Sequence, residues 1–223
     1  MEKDNPRILD LGCSCGVFLR CIKDLGYGNV QGIEINSEAA QAGSAALGIP
    51  IRSIRVEDLD PTEKYDLITA FALLEHLQDP GAFLHKLKEH LSENGCIFFL
   101  VPNFNGLVKM LMGGNWLWYM PPYHLHHFTI KSIRIMAEAE HLNVVRLKTI
   151  NTGSYLYLIY HMLFGGSKAQ LKATGPGISL RLFKRVDTLV RFCLLPIILL
   201  CRLLNKEAHI VGVLQNVIKT KAS

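Results

Sequence analysis

Asp10, Gly12, Gly16 and Glu34 are the residues whose types and spacing point to ligand chemistry. The stretch from Ile8 to Gly16 reads Ile-Leu-Asp-Leu-Gly-Cys-Ser-Cys-Gly, an apolar run that ends in a glycine-bracketed turn. That is how a buried strand of an α/β sheet meets a nucleotide-like cofactor. Gly12 and Gly16 let the backbone approach a ligand without a Cβ, and Asp10 can hold the turn or a ligand ammonium. Glu34 follows Gly12 by 22 positions and closes a second strand-like run, Val30 to Ile35. Its carboxylate can accept hydrogen bonds from both hydroxyls of a ribose, each contributing roughly 1.5 to 3 kcal/mol.

A second set could handle protons. Pro121-Pro122-Tyr123-His124-Leu125-His126-His127-Phe128 places three histidines in a segment that follows the fifth strand and would cross the mouth of the cleft. His124 and His127 are the base candidates there; the plain alternative is that these histidines cap the next helix or hydrogen-bond their own loop. Trp116, Trp118 and Tyr119 offer a pocket wall, or simply aromatic packing under a long loop. A zinc site needs further soft ligands near the histidines and finds none in the sequence, so no metal is expected. Cys13 and Cys15 lack an obvious partner in Cys21 and read as small loop fillers.

These groups must be carried by regular elements. Hydrophobic periodicity and breakers predict strands at Arg7–Leu11, Val30–Ile35, Ile51–Arg55, Tyr65–Phe71, Gly95–Val101, Asn143–Ile150 and His209–Ile218. They predict helices at Gly16–Leu25, Ser37–Leu47, Pro80–Leu91 and Ile130–His141, with a loop from Asn103 to Phe128. The alternation is the rhythm of a doubly wound, mainly parallel sheet. At 223 residues the chain suits one such domain. Its net charge of +5 is modest. The basic residues are not interleaved with a repeated aromatic pattern, and no nucleic-acid partner is expected. Six cysteines without a paired framework, and no signal segment before Arg7, point to a reducing cytoplasmic setting.

Taken in order, Ile-Leu-Asp-Leu-Gly-Cys-x-x-Gly, Gly32-Ile33-Glu34, Tyr65-Asp66-Leu67-Ile68, Leu74-Glu75-His76-Leu77 and Val101-Pro102-Asn103 resemble the class I S-adenosylmethionine-dependent methyltransferases. The resemblance runs over roughly residues 7 to 150 and is greatest to the ubiquinone-pathway O-methyltransferases. It implies a seven-stranded Rossmann-like sheet whose last strand, Ile210 to Ile218, is antiparallel. It implies S-adenosylmethionine as cofactor, with Asp10, Gly12 and Gly16 around its methionine part, Glu34 on the ribose and Ile35 flanking the adenine. An acid contacting the adenine amine falls at Glu57 or Asp58, Phe71 joins the cofactor set, and His76 faces the cleft. The function implied is methylation of oxygen on a small or lipid-linked acceptor.

Three departures from the family pattern stand out. Ser14 replaces the glycine usual at the loop's centre, costing roughly 1 kcal/mol if the backbone there is left-handed. Ala72 stands where some quinone-pathway relatives have an extra carboxylate that helps hold a divalent ion, which leaves Glu75 and His76 alone and no metal expected. Relatives also carry one or two helices before the first strand that help cover the cofactor. A catalytically silent cofactor-binding member is therefore the first alternative. A nicotinamide-dependent oxidoreductase is the second, disfavoured because Ser14 and Val17 break the GxGxxG pattern. A nucleophile elbow, Gly12-x-Ser14-x-Gly16, matches by letters only.

The remaining length divides into a core over 1–152, an apolar and basic helical insertion over 153–207, and a closing strand over 208–223. Within the insertion, Arg181, Lys184, Arg185, Thr188 and Arg191 recur at helical spacing opposite Leu182, Phe183, Val186 and Val190. Phe192 to Cys201 then carries no polar side chain. Ten residues broken by Pro196 are too few to cross a bilayer, which needs about 20. Residues 179–206 are therefore expected to touch a membrane surface peripherally or to pack against Tyr155 to Phe164.

Overall fold

The first strand is buried on both faces, and that decides the architecture. In β1 (Ile8–Leu11) every residue is buried, as in a parallel sheet covered by helices on each side. Ile8 packs with Leu19 and Ala40 in one core, while Leu9 and Leu11 join Leu84, Leu87, Ile133 and Ala137 in the other. The computed structural model describes residues 5–152 and 180–216.

The other strands are β2 (Val30–Ile33), β3 (Ile51–Arg52), β4 (Tyr65–Phe71), β5 (Leu91–Pro102), β6 (Leu142–Ile150) and β7 (His209–Asn216). They form one seven-stranded sheet in the order β3-β2-β1-β4-β5-β7-β6. β7 runs antiparallel to both of its neighbours, and the first five strands are parallel. Strand order reverses beside β1, so the carboxyl ends of β1, β2 and β4 open onto a crevice where such sheets bind ligands.

The helices are α1 (Val17–Asp24), α2 (Ser37–Leu47), α3 (Pro80–Glu89), α4 (Leu107–Met112), α5 (Ile130–Ala139), α6 (Leu180–Cys193) and α7 (Leu195–Leu203). Their starts follow from capping chemistry. Asn36 and Asp79 each accept a hydrogen bond from a backbone amide in the first turn of α2 and α3, and Thr129 with Ser132 makes a reciprocal box at α5. α1 differs: its N-cap is Gly16, in a left-handed conformation with no side-chain cap.

Several expected boundaries are corrected. The stretch Asn103 to Phe128, expected as loop, contains α4 and a 3₁₀ turn at Gly113–Asn115. Leu107, Val108, Met110 and Leu111 supply a short apolar run there, obscured by the flanking glycines. Pro80 opens a helix that stops at Glu89 rather than Leu91, because Leu91 already pairs with Tyr65 and begins β5. β2 ends at Ile33 and β3 at Arg52, so Glu34 and Ile35 lie just beyond the sheet. The apolar piece Tyr155 to Phe164 and residues 217–218 of the closing strand lie outside the described residues.

Among the described residues no helix is long and apolar enough to cross a membrane. α6 and α7 nevertheless expose large apolar groups, with Phe192 at 75% and Leu203 at 80% of full exposure.

Candidate functional site

The turn after β1 is built to come close to a ligand. Gly12 has φ +67, and a Cβ there would sit 3.3 Å from Leu73. Ser14 has φ 50, so the condition under which replacing a glycine there is costly, a left-handed backbone, is met. Ala72, just past β4, is left-handed as well, at φ 49. Strained non-glycine residues thus flank the crevice from two strands.

Glu34 ties this turn to the next helix. One carboxylate oxygen accepts the Ser14 amide and the other the Asn36 amide, each at 2.9 Å. Each oxygen has a further lone pair, so the carboxylate can still accept two ligand hydroxyls. A cleft of about 560 Å³ opens over these groups, lined by Leu11, Gly12, Ile33, Glu34, Ile35, Ile54, Arg55, Glu57, Leu73, His76 and Phe83, among others. A larger groove of about 990 Å³ lies at the other end of the sheet, by α5 and the start of β6. Its lining includes Lys88, Arg134 and Glu138 and none of the conspicuous turn residues, so the smaller cleft is the candidate site.

The remaining candidates fall at varied distances from that cleft. Ile35 is 74% exposed and forms part of its rim. Of the two acids after β3, Glu57 lines the cleft and pairs with Arg55 at 3.3 Å. Asp58 instead accepts from the Arg55 amide at 3.4 Å and closes the Val56–Asp58 turn. Gly16 stacks tightly below, where a Cβ would meet Leu47 at 2.8 Å and Ile51 at 2.9 Å. Phe71 packs edge-on to Phe18 and tilted against Phe98, at the end of β4.

Asp10 is 3% exposed and accepts a 2.6 Å hydrogen bond from the Thr69 hydroxyl, its register partner on β4. Burial pushes its pKa from 3.8 up to about 6, against the lowering effect of that hydrogen bond. An acid whose pKa rises on folding holds its proton longer when folded. Stability is therefore lost as pH climbs from about 4 to about 6, by about 3 kcal/mol at roughly 1.4 kcal/mol per pKa unit. Asp10→Asn is expected to gain that amount relative to the parent across this window in urea unfolding. Parallel pH profiles for the two proteins would contradict it. Cys13, buried against Gly32, has its thiol pushed up to about 12 by burial and by the Asp10 and Glu34 charges, as suits an inert filler.

The histidine segment folds back onto the turn after β4. The Leu125 and His126 amides donate to the Glu75 carbonyl at 2.8 and 3.2 Å, and His126 Nε2 lies 3.1 Å from the Gln78 carbonyl. His76 Nδ1 is 2.9 Å from the Tyr123 carbonyl, and His124 Nδ1 is 2.7 Å from the Trp118 carbonyl. His127 sits among Phe104, Trp116 and Tyr119, with ring centroids 5.0 to 5.9 Å away. Its Nε2 is buried without a hydrogen-bond partner, and burial lowers its pKa below the ordinary histidine value. Trp116 is buried, so it packs beneath the loop, whereas Tyr119 is 43% exposed.

Two contributors were not singled out from the sequence. Leu73 roofs Gly12, and Gly43 of α2 lets the Cys15 main chain lie against the helix, where a Cβ would come within 2.7 Å of the Cys15 carbonyl oxygen. The small-residue run Ala39-Ala40-Gln41-Ala42-Gly43-Ser44-Ala45-Ala46 was the available signal for close packing.

Comparison with known proteins bears on the family and the fold. A family profile described as a methyltransferase domain matches residues 1–147. The ubiquinone biosynthesis O-methyltransferase of Rhodopseudomonas palustris (strain TIE-1) is 31% identical over 153 residues, 66% of this chain and 59% of that protein. The matched chain thus spans under two thirds of that relative's length. A crystal structure of a SAM-dependent methyltransferase from Archaeoglobus fulgidus superposes with a TM-score of 0.59 at 16% identity, covering 96% of this chain and 87% of that one. The plantazolicin methyltransferase BpumL in complex with SAH gives 0.60 at 17% identity, covering 97% and 78%. These two likenesses speak for the fold. Profile, relatives and fold together place the chain in the methyltransferase domain family, among the class I S-adenosylmethionine-dependent methyltransferases.

Proposed function

We propose that this chain transfers a methyl group from S-adenosylmethionine to an oxygen of a small or lipid-linked acceptor. The observation that carries the cofactor reading is Glu34, whose carboxylate faces a 560 Å³ cleft while two backbone amides fix it. When bound, the cofactor supplies a sulfonium methyl that an acceptor oxygen displaces in line. The protein's part is to bind, align and exclude water. Gly12 admits the ligand close to the backbone, Gly16 lets the turn pack down on Leu47 and Ile51, Glu34 holds the ribose, and Ile35 and Glu57 flank the adenine. Asp10, beneath the turn, favours the ligand's ammonium by its charge.

His127 suits the base, since burial in its aromatic surround keeps the imidazole neutral and able to take the acceptor's proton. A positioned base contributes roughly 100- to 10,000-fold. His76, on the cleft wall, and His124 are the other proton-handling candidates. Incubation with labelled S-adenosylmethionine and a panel of phenols and alcohols, free and prenylated, is expected to yield a product heavier by one methylene unit. Saturable cofactor binding without any turnover would instead support the catalytically silent alternative.

The lipid-linked acceptor rests on α6 and α7. Leu189, Phe192, Leu199, Leu200 and Leu203 are exposed beside Arg185 and Arg202. Apolar groups beside cations suit an anionic membrane surface. The protein is expected to sediment with anionic vesicles at low salt and to be released by high salt. A protein that stays in the supernatant would defeat this part of the reading.

A further inference from the structure

We infer that the outer edge of β6 receives an extended peptide of alternating acidic and apolar residues, which joins the seven-stranded sheet as one more strand. β6 (Leu142–Ile150) is nine residues long and stands last in the strand order. Among the described residues its main chain bonds only to β7, so a row of outward amides and carbonyls stays open. The opposite edge is β3, which has two residues. An open edge is a template for strand addition, in which main-chain bonds give affinity and alternate side chains give specificity.

The side chains of β6 dictate what such a strand must carry. Register partners point to the same face of a sheet. Leu147 pairs with Gly212 and Thr149 with Ile210, on the face that packs with Ile133 and Ala137 of α5. Arg146 pairs with Val213 and Lys148 with Val211, on the other face. Both cations are exposed, and among the described residues no ion pair engages either. A strand laid along residues 146–150 puts every second side chain beside these two charges and the side chains between beside half-buried Leu147. Glutamate or aspartate fits the first set, and an aliphatic residue fits the second.

The register of β6 shifts between Val144 and Arg146, which ends the regular stretch. Chain continuing past the shift reaches the groove of about 990 Å³, where Lys88 and Arg134 add positive charge against the acid Glu138. Lys88 is held there by a neutral group, the Glu140 carbonyl, at 2.8 Å.

The same side chains disfavour two other occupants. An antiparallel pairing of two copies centred on Leu147 sets Arg146 of one copy across from Lys148 of the other, a like-charge contact. A nucleic-acid strand meets cations but no ring on which a base can stack, since residues 142–150 include no aromatic side chain. The edge lies across the sheet from the cleft over β1 and β2, and the inference holds whatever that cleft binds.

The test uses the full chain and a fluorescein-labelled peptide of alternating glutamate and valine, followed by anisotropy. One saturable site per chain is expected, weakening as salt is raised. Three changes are each expected to weaken binding at least about tenfold: lysine in place of the peptide's glutamates, methylation of the peptide's backbone nitrogens, and the double substitution Arg146→Glu with Lys148→Glu. Both positions are exposed, so the double variant should melt like the parent by circular dichroism and should bind the lysine peptide instead. Hydrogen exchange is expected to show new protection at residues 146–150 and none at β3. No saturable binding, equal affinity for the lysine peptide, indifference to the methylated backbone or protection confined to other elements would overturn the inference. A dimer of the free protein protected along β6, or an oligothymidylate that displaces the peptide, would assign the edge to a different occupant and overturn it as well.

Discussion

Replacing Glu34 with alanine is expected to weaken S-adenosylhomocysteine binding by roughly 100- to 10,000-fold. Two hydrogen bonds from a ribose to a carboxylate contribute about 1.5 to 3 kcal/mol each, and tenfold in affinity corresponds to about 1.4 kcal/mol. The substitution also frees the Ser14 and Asn36 amides, both held at 2.9 Å, so the turn itself loses an anchor. Glu34→Gln separates the two contributions. The amide keeps one acceptor oxygen but loses the charge, and its affinity should fall between those of the parent and the alanine variant. Unchanged affinity in both variants would show that the ligand does not use this carboxylate. A competing titration with NADH should give no saturable signal, whereas saturation would favour the oxidoreductase alternative.

Gly43→Ala is expected to weaken the same binding between roughly fivefold and a hundredfold, although it lies on a helix and touches no ligand. Its Cβ would fall 2.7 Å from the Cys15 carbonyl oxygen and 2.8 Å from the carbonyl carbon. Both are main-chain atoms of the turn after β1, which cannot rotate aside as a side chain would. Overpacking of this kind costs about 1 to 3 kcal/mol. Helix propensity alone favours alanine over glycine by about 1 kcal/mol, so a net loss of affinity means that the steric contact prevails. Gly28→Ala is the control, since a Cβ there meets nothing within 4 Å. Equal affinities for the two variants would contradict the packing argument.

What the sequence revealed follows from how local each signal is. The β1 turn and Glu34 are legible because a buried strand, two glycines and a carboxylate at fixed separation constrain one another within 34 residues. The left-handed backbone at Ser14 stayed a condition in the sequence, since the glycine it replaces is compatible with either hand. The choice between Glu57 and Asp58 was open because adjacent acids share a composition, and only the turn geometry separates the one on the cleft from the one that caps. Asp10 and Thr69 meet only because β1 and β4 are neighbours in the sheet, a fact of topology rather than of spacing. α4 escaped notice since a six-residue helix between glycines has too few turns for a period to show. His124 and Glu75 are remote in sequence and meet through a loop held by backbone hydrogen bonds, which no side-chain pattern announces.

A single calorimetric titration of the folded protein with S-adenosylhomocysteine, run beside the Glu34→Ala variant, tests the cofactor site most directly. The structure leads us to expect one saturable site per chain in the parent protein and a loss of at least roughly 100-fold in the variant, from the two charged hydrogen bonds removed. Absence of any binding heat in the parent, with S-adenosylmethionine as well as with its demethylated product, would contradict the assignment of this cleft.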